Sequence, residues 1–139
     1  MRFWDSSAVI PLLIQQAASA RADEWWSADA RLAVWTLTPI EITSALWRLV
    51  REQAFDDSDA RDGERRAREL VAASHVVVDV EAVKALAARL LRVHPLRAAD
   101  ALQLAAAVVW AGGQPSGKTL HTLDDRLAIA ARREGFDVP

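Results

Sequence analysis

No cysteine occurs in the 139 residues, which excludes disulfides, zinc–thiolate sites and thiol nucleophiles and accords with a reducing compartment. A basic excess is also missing. Seventeen Lys and Arg stand against nineteen Asp and Glu for a net charge of -2, so no global positive field announces nucleic acid or an anionic membrane, and a polyanion has to be met by a local patch. No charge-free stretch of about 18 apolar residues is available to span a bilayer. The opening Met1-Arg2-Phe3-Trp4-Asp5 meets an acid at once and lacks the apolar run of a signal peptide. These absences predict a soluble, cytoplasmic protein. What is present is 52% hydrophobic and 26% charged residues, a balance that fits one globular domain over residues 1–139 with a real core. With thiols gone, oxygen ligands are the metal-binding chemistry left in quantity.

Short apolar runs alternate with longer helical patterns, the signature of a parallel sheet covered by helices. Strands are expected at Arg2 to Trp4, Leu32 to Leu37, His75 to Val80 and Lys118 to Leu123, with an edge strand at Phe136 to Val138. Helices are expected from Ala8 to Ala18, Ala22 to Ala30, Thr38 to Gln53, after Asp62 to Ala73, Glu81 to Val93, Leu96 to Ala111 and Asp124 to Glu134. Pro39 suits a first helical position behind a Thr38 cap.

Four acids, Asp5, Glu41, Asp100 and Asp124, stand where apolar stretches give way to turns or helices. An unpaired buried carboxylate costs several kcal/mol, so their placement asks for a common explanation. Each also has a plainer reading. Thr38-x-x-Glu41 has the form of a capping box, Asp5 and Asp124 suit helix N-caps, and Asp100 has Arg97 three residues earlier for a local ion pair. In an open parallel sheet ligands sit beyond the carboxyl ends of the strands, and Asp5, Glu41 and Asp124 belong on that rim. Asp100 lies in the first turns of an alanine-rich helix, and its direction is not legible. A shared divalent cation of the oxygen-seeking kind, magnesium or manganese, accounts for all four together.

The flanking residues carry a resemblance. Phe3-Trp4-Asp5-Ser6-Ser7-Ala8-Val9, Thr38-Pro39-Ile40-Glu41, Leu96-Arg97-Ala98-Ala99-Asp100-Ala101-Leu102-Gln103-Leu104-Ala105 and Thr122-Leu123-Asp124-Asp125-Arg126-Leu127, in that order, resemble the PIN domain and, more narrowly, the VapC-type toxins of bacterial toxin–antitoxin modules. The resemblance implies a three-layer α/β/α sandwich around a mainly parallel sheet of four or five strands. It also implies Mg2+- or Mn2+-dependent cleavage of RNA, a cognate antitoxin, and a homodimer or larger toxin–antitoxin assembly. The family's acidic positions map to Asp5, Glu41, Asp100 and Asp124, with Asp5 and Asp100 as direct ligands and the other two completing the site directly or through water. Ser6 stands where the family often has threonine. Asp124 is preferred to Asp125 because Thr122-x-Asp124-x-x-Leu127 keeps the family spacing. Ser6 and Thr122 would support the acids and Arg97 would meet RNA phosphate. The same fold could instead serve RNA processing without an antitoxin, or binding without catalysis.

Gly112-Gly113-Gln114-Pro115-Ser116-Gly117-Lys118-Thr119 matches the P-loop string letter for letter, but that motif needs a strand before it and a helix after it. Here the order is reversed, so the segment is read as a helix-ending turn and no nucleotide cofactor is expected. Arginines gather at Arg48 and Arg51, at Arg61 to Arg68 and at Arg89 to Arg97; solvated faces are the default, with Arg97 the exception. His75, His94 and His121 have no metal-ligand spacing. Of six tryptophans, Trp4, Trp35 and Trp110 read as core, while at least one of Trp25, Trp26 and Trp47 is expected on the surface as a partner contact.

Overall fold

The computed structural model describes residues 1–139. Its elements run β1 (Arg2–Trp4), α1 (Ser6–Leu13), α2 (Ser19–Ala28), β2 (Leu32–Trp35), α3 (Thr38–Arg51), α4 (Asp57–Ala72), β3 (His75–Val77), α5 (Val80–Val93), α6 (Ala98–Trp110), β4 (Leu120–His121) and α7 (Asp125–Glu134). The four strands form one sheet in the order β3-β2-β1-β4, every pair parallel. The edge strand expected near Phe136 is reduced to a single parallel bridge between Thr119 and Asp137, so the sheet has four strands.

Alternation along the strands sorts the core into two halves. Phe3, Ala33, Trp35, Val77 and Leu120 face α5, α6 and α7. Trp4, Leu32 and Val34 face α1 to α4. Helices therefore cover both sides of the sheet in three layers. Alanines fill much of the first half, with Ala101, Ala105, Ala106 and Ala107 all fully buried, which lets α6 lie close to the sheet.

Several boundaries differ from expectation for local reasons. α1 stops at Leu13, and the carbonyls of Pro11 and Ile14 are taken by the Ser19 hydroxyl. The polar stretch from Asp56 is helical because Asp56 and Asp59 form a reciprocal capping box. The box expected at Thr38 and Glu41 is not formed. Leu37 is the N-cap residue without a side-chain bond, Thr38 is already helical and fully buried, and the Glu41 side chain turns elsewhere. β3 ends at Val77, and Asp79 then caps α5 by accepting from the Ala82 N–H. α6, the glycine turn and β4 follow in the helix–turn–strand order read from the P-loop-like string; Gly112, Gly113 and Gly117 have positive φ of 64, 77 and 72°, the left-handed backbone that ends a helix.

None of the tryptophans is exposed, which corrects the expected partner surface. Trp25 is 8% exposed, Trp26 and Trp47 are half-buried, and Trp47 donates its indole N–H to Glu64 at 2.7 Å. Helical polar neighbours misled here because an amphipathic helix buries one face whatever the other carries. Apolar exposure falls instead on aliphatic residues such as Ile40 (67%) and Val78 (68%).

Candidate active site at the carboxyl rim of the sheet

β1 lies between β2 and β4, so the residues that follow these strands meet on one rim. Asp5 leaves the end of β1 as the N-cap of α1 and is 5% exposed. Its Oδ2 accepts from the Ser7 N–H at 3.2 Å, from the Ser7 hydroxyl, and from the Thr122 hydroxyl at 3.0 Å. Oδ1 has only the Ser6 hydroxyl, at 3.4 Å. One oxygen is thus anchored and the other is held only by a long contact. Burial nevertheless pushes the Asp5 carboxyl above its ordinary range, against the lowering effect of these bonds.

Thr122 and Ser7 tie this corner together. The Leu123 N–H donates to Ser7 Oγ at 2.9 Å and the Asp124 N–H donates to Thr122 Oγ1 at 3.0 Å. The turn after β4 is therefore bolted to the start of α1. Asp124 caps α7, its Oδ1 accepting from the Leu127 N–H at 2.8 Å. Asp125, the reserve, lies one residue further on in α7 and is exposed.

Glu41 projects from the first turn of α3. Its Oε2 accepts from Gln103 Nε2 at 2.7 Å, and the same amide reaches Thr38 Oγ1 at 3.3 Å. Burial is the main cause raising the Glu41 carboxyl; the Gln103 and Ser6 contacts oppose it, and the charges of Asp5 and Asp100 add to it. Asp100 sits in the first turn of α6. Its carboxyl is raised first by burial and then by Asp124, with Arg97 and Arg126 pulling the other way. The four acids therefore form one chain of electrostatic neighbours, Asp5 to Glu41 to Asp100 to Asp124.

They do not form a closed cage. No three Asp, Glu or His groups stand close enough together to hold one ion as placed; Glu41 is bonded to Gln103 and Asp124 to the Leu127 N–H. By chemistry the set suits a hard cation: every donor is a carboxylate oxygen, the Asp5 Oδ1 side is under-bonded, and three of the four carboxyls carry raised pKa values that an added positive charge would relieve.

The Ser6 and Thr122 hydroxyls thus donate to Asp5, and the charge of Arg97 acts on Asp100. Sequence reasoning missed Ser7, Gln103 and Arg126. Gln103 did leave a signal, being the one polar residue in the buried run from Ala101 to Val108, and its Oε1 has no partner. His121 is fully buried, its ring stacked 4.4 Å from Trp25 and tilted against Trp4 at 4.6 Å. His94 lies against Glu134 at 2.7 Å, and His75 is exposed.

This arrangement can be set beside known proteins. A family model described as PIN domain matches residues 2–133. Two curated relatives from Mycobacterium tuberculosis, Ribonuclease VapC45 of strain CDC 1551 / Oshkosh and Ribonuclease VapC49 of strain H37Rv, are each 34% identical over 137 residues, spanning 98% of this chain and 92% of the relative. Among solved structures, a toxin–antitoxin complex from Klebsiella pneumoniae superposes with a TM-score of 0.65 at 17% identity, covering 92% of this chain and 91% of that one; at such identity the likeness speaks for the fold. A parallel four-stranded sheet between two helix layers, acids at its carboxyl rim, and a match across nearly the whole length lead to one conclusion: the chain belongs to the PIN domain family.

Proposed function

We propose that the chain is a divalent-metal-dependent ribonuclease and the toxin of a toxin–antitoxin pair, working in the cytoplasm. The carrying observation is the chain of carboxylates on one rim, three of them raised above their ordinary range in a fold whose curated relatives are ribonucleases. Asp5 and Asp100 would hold magnesium or manganese directly, with Glu41 and Asp124 completing the site. The ion, when bound, supplies activation of a water and neutralisation of charge on the scissile phosphate. The chain's own groups supply the rest. Thr122 and Ser7 would hold Asp5 in place through Oδ2, and the bond from Gln103 favours the ionised form of Glu41 against the larger effect of burial. Arg97 and Arg126, whose charges act on Asp100, would pair with phosphate oxygens.

An antitoxin and a second copy of the chain are the proposed protein partners. No helix is long and apolar enough to cross a membrane. The test is cleavage of RNA by the purified protein with magnesium or manganese, repeated in EDTA and with Asp5→Asn and Asp100→Asn. Metal-dependent cleavage lost in both variants supports the proposal; cleavage that persists in EDTA and in both variants sinks it. Induction alone and together with the neighbouring gene separates a toxin from a housekeeping nuclease.

A further inference from the structure

Gln103 brings a polar side chain into the core where the packing asks for none. It is 1% exposed in the alanine-rich part of α6, and its Oε1 is buried without a partner. An orphaned acceptor of this kind is a cost to the folded chain that an aliphatic side chain would not carry. The other end of the amide shows what the glutamine does. Nε2 donates to Glu41 Oε2 at 2.7 Å and reaches Thr38 Oγ1 at 3.3 Å. The reverse setting of the amide would bring its oxygen against the carboxylate oxygen, so the donor end faces Glu41 and Oε1 is the atom left over.

These two bonds join helices that the core keeps apart. α3 packs through Ile42 and Leu46 on one side of the sheet, and α6 packs through Ala101, Leu104 and Ala105 on the other. No other side-chain hydrogen bond and no ion pair links them. Both bonds end in the first turn of α3, at Thr38 and Glu41. Gln103 itself stands three residues after Asp100 in α6, the spacing that puts two side chains on one helix face. The amide therefore ties the turn that carries Glu41 to the turn that carries Asp100. Those two acids line one open groove with Ser6 and Arg48. The tie is also neutral. Glu134 is clasped by Arg89 and His94, whereas Glu41 enters no ion pair and keeps its charge uncancelled.

We propose that Gln103 is a positioning residue for the divalent-cation site, fixing Glu41 relative to Asp100 through a bond that orients the carboxylate without cancelling its charge. The inference rests on the metal-dependent reading above. A lysine or arginine in the same place would orient Glu41 equally well but would occupy the position of the cation electrostatically. An aliphatic residue would pack without orphaning an acceptor but would leave the Glu41 side chain free to turn.

The test measures Mn2+ affinity by electron paramagnetic resonance, without RNA, in the parent, Gln103→Met, Gln103→Lys, Glu41→Gln and the Glu41→Gln/Gln103→Met pair, each checked for a cooperative melt. Gln103→Met keeps the length of the side chain without the donor and should weaken manganese binding about tenfold. In the Glu41→Gln background the same change should cost less than about twofold, since no carboxylate is left to orient. A role confined to packing would cost the same in both backgrounds. Gln103→Lys keeps a donor but neutralises Glu41, so it should bind manganese no more tightly than Glu41→Gln does. Parent-like affinity in Gln103→Met or in Gln103→Lys, or an equal loss with and without the Glu41 carboxylate, overturns the proposal and leaves the metal-dependent reading standing. A parent that binds no manganese overturns that reading, and the proposal with it.

Discussion

Glu41 and Glu134 are the same residue type, both partly buried, and their carboxyls are displaced in opposite directions. Glu134, at the end of α7, receives Arg89 at 2.6 Å and His94 at 2.7 Å, and these contacts hold its carboxyl below the usual range despite the opposing effect of burial. Glu41 has a neutral amide from Gln103 and two acids for neighbours, and burial raises it. One region is electrostatically finished by the chain itself. The other is left with negative charge that the chain does not neutralise, and that deficit, not the number of acids, separates a site from a structural clasp.

The largest expected effect is on activity. Asp5→Asn keeps the size of the side chain and an acceptor for Thr122 and Ser7 but removes the charge, so metal-dependent RNA cleavage should fall by about a hundredfold or more while circular dichroism stays that of the parent. Glu134→Gln, on the clasp side, should leave the metal dependence of cleavage as it is. Retained activity in Asp5→Asn would erase the distinction between the two regions.

Next is stability, where the two glutamates should respond with opposite signs. Glu134→Gln loses two charge-assisted bonds at a side chain only 14% exposed and should cost about 1–2 kcal/mol. Glu41→Gln removes a repelled charge and should raise the melting temperature in EDTA, while weakening the added stabilisation by manganese. Destabilisation of both to a similar degree in thermal melts would mean that Glu41 is as well compensated as Glu134.

A smaller effect lies in the pH dependence of the metal-free protein. A carboxyl raised on folding binds its proton more tightly in the folded chain, so the stability it contributes is full below the unfolded value and lost as pH rises through the folded one. Asp5, Glu41 and Asp100 all behave this way. Glu134 runs in the other direction: its contribution is present above the ordinary carboxylate range and is lost as pH falls through its lowered value. In EDTA the melting temperature should therefore decline from mildly acidic pH toward pH 8, and manganese should restore more at pH 8 than at pH 5. A metal increment independent of pH would count against the three raised acids as its ligands.

Much of this contrast was legible in the chain. The parallel sheet followed from apolar runs alternating with helical patterns, and Asp5 was legible as an acid that directly follows a strand, whereas the strand expected to run to Leu123 ends at His121 and Thr122 and Leu123 separate it from Asp124. Glu41 was half legible, because Thr-x-x-Glu does not say which residue takes the cap position; the register of α3 makes Thr38 helical and frees the glutamate. The Glu134 clasp and the contacts of Ser7 with Leu123, Gln103 with Glu41 and Arg21 with Pro139 were not legible, since each joins residues 40 to 118 positions apart and depends on how helices pack. Tryptophan exposure failed for the same reason.

The smallest effect concerns one further buried titratable group, whose sign opposes that of the site. His121 is pushed down to about 4 by burial first and by Arg2 and Arg21 next, and its Nδ1 has no partner. A base depressed on folding takes up fewer protons in the folded chain than in the unfolded one, so its contribution is full above pH 6.5 and is lost as pH falls toward 4. Between these limits it offsets the gain that the site's carboxyls make on acidification. His121→Phe keeps an aromatic ring between Trp4 and Trp25 and removes the orphan nitrogen, at the cost of a 3.4 Å contact with Arg2, so its melting temperature at pH 7.5 should lie close to that of the parent. In EDTA at pH 5 the variant should melt higher than the parent, which isolates the carboxylates as the source of the remaining slope. Parallel profiles of variant and parent from pH 5 to 8 would show that the imidazole does not titrate out of step with the unfolded chain, and would leave the slope to the acids alone.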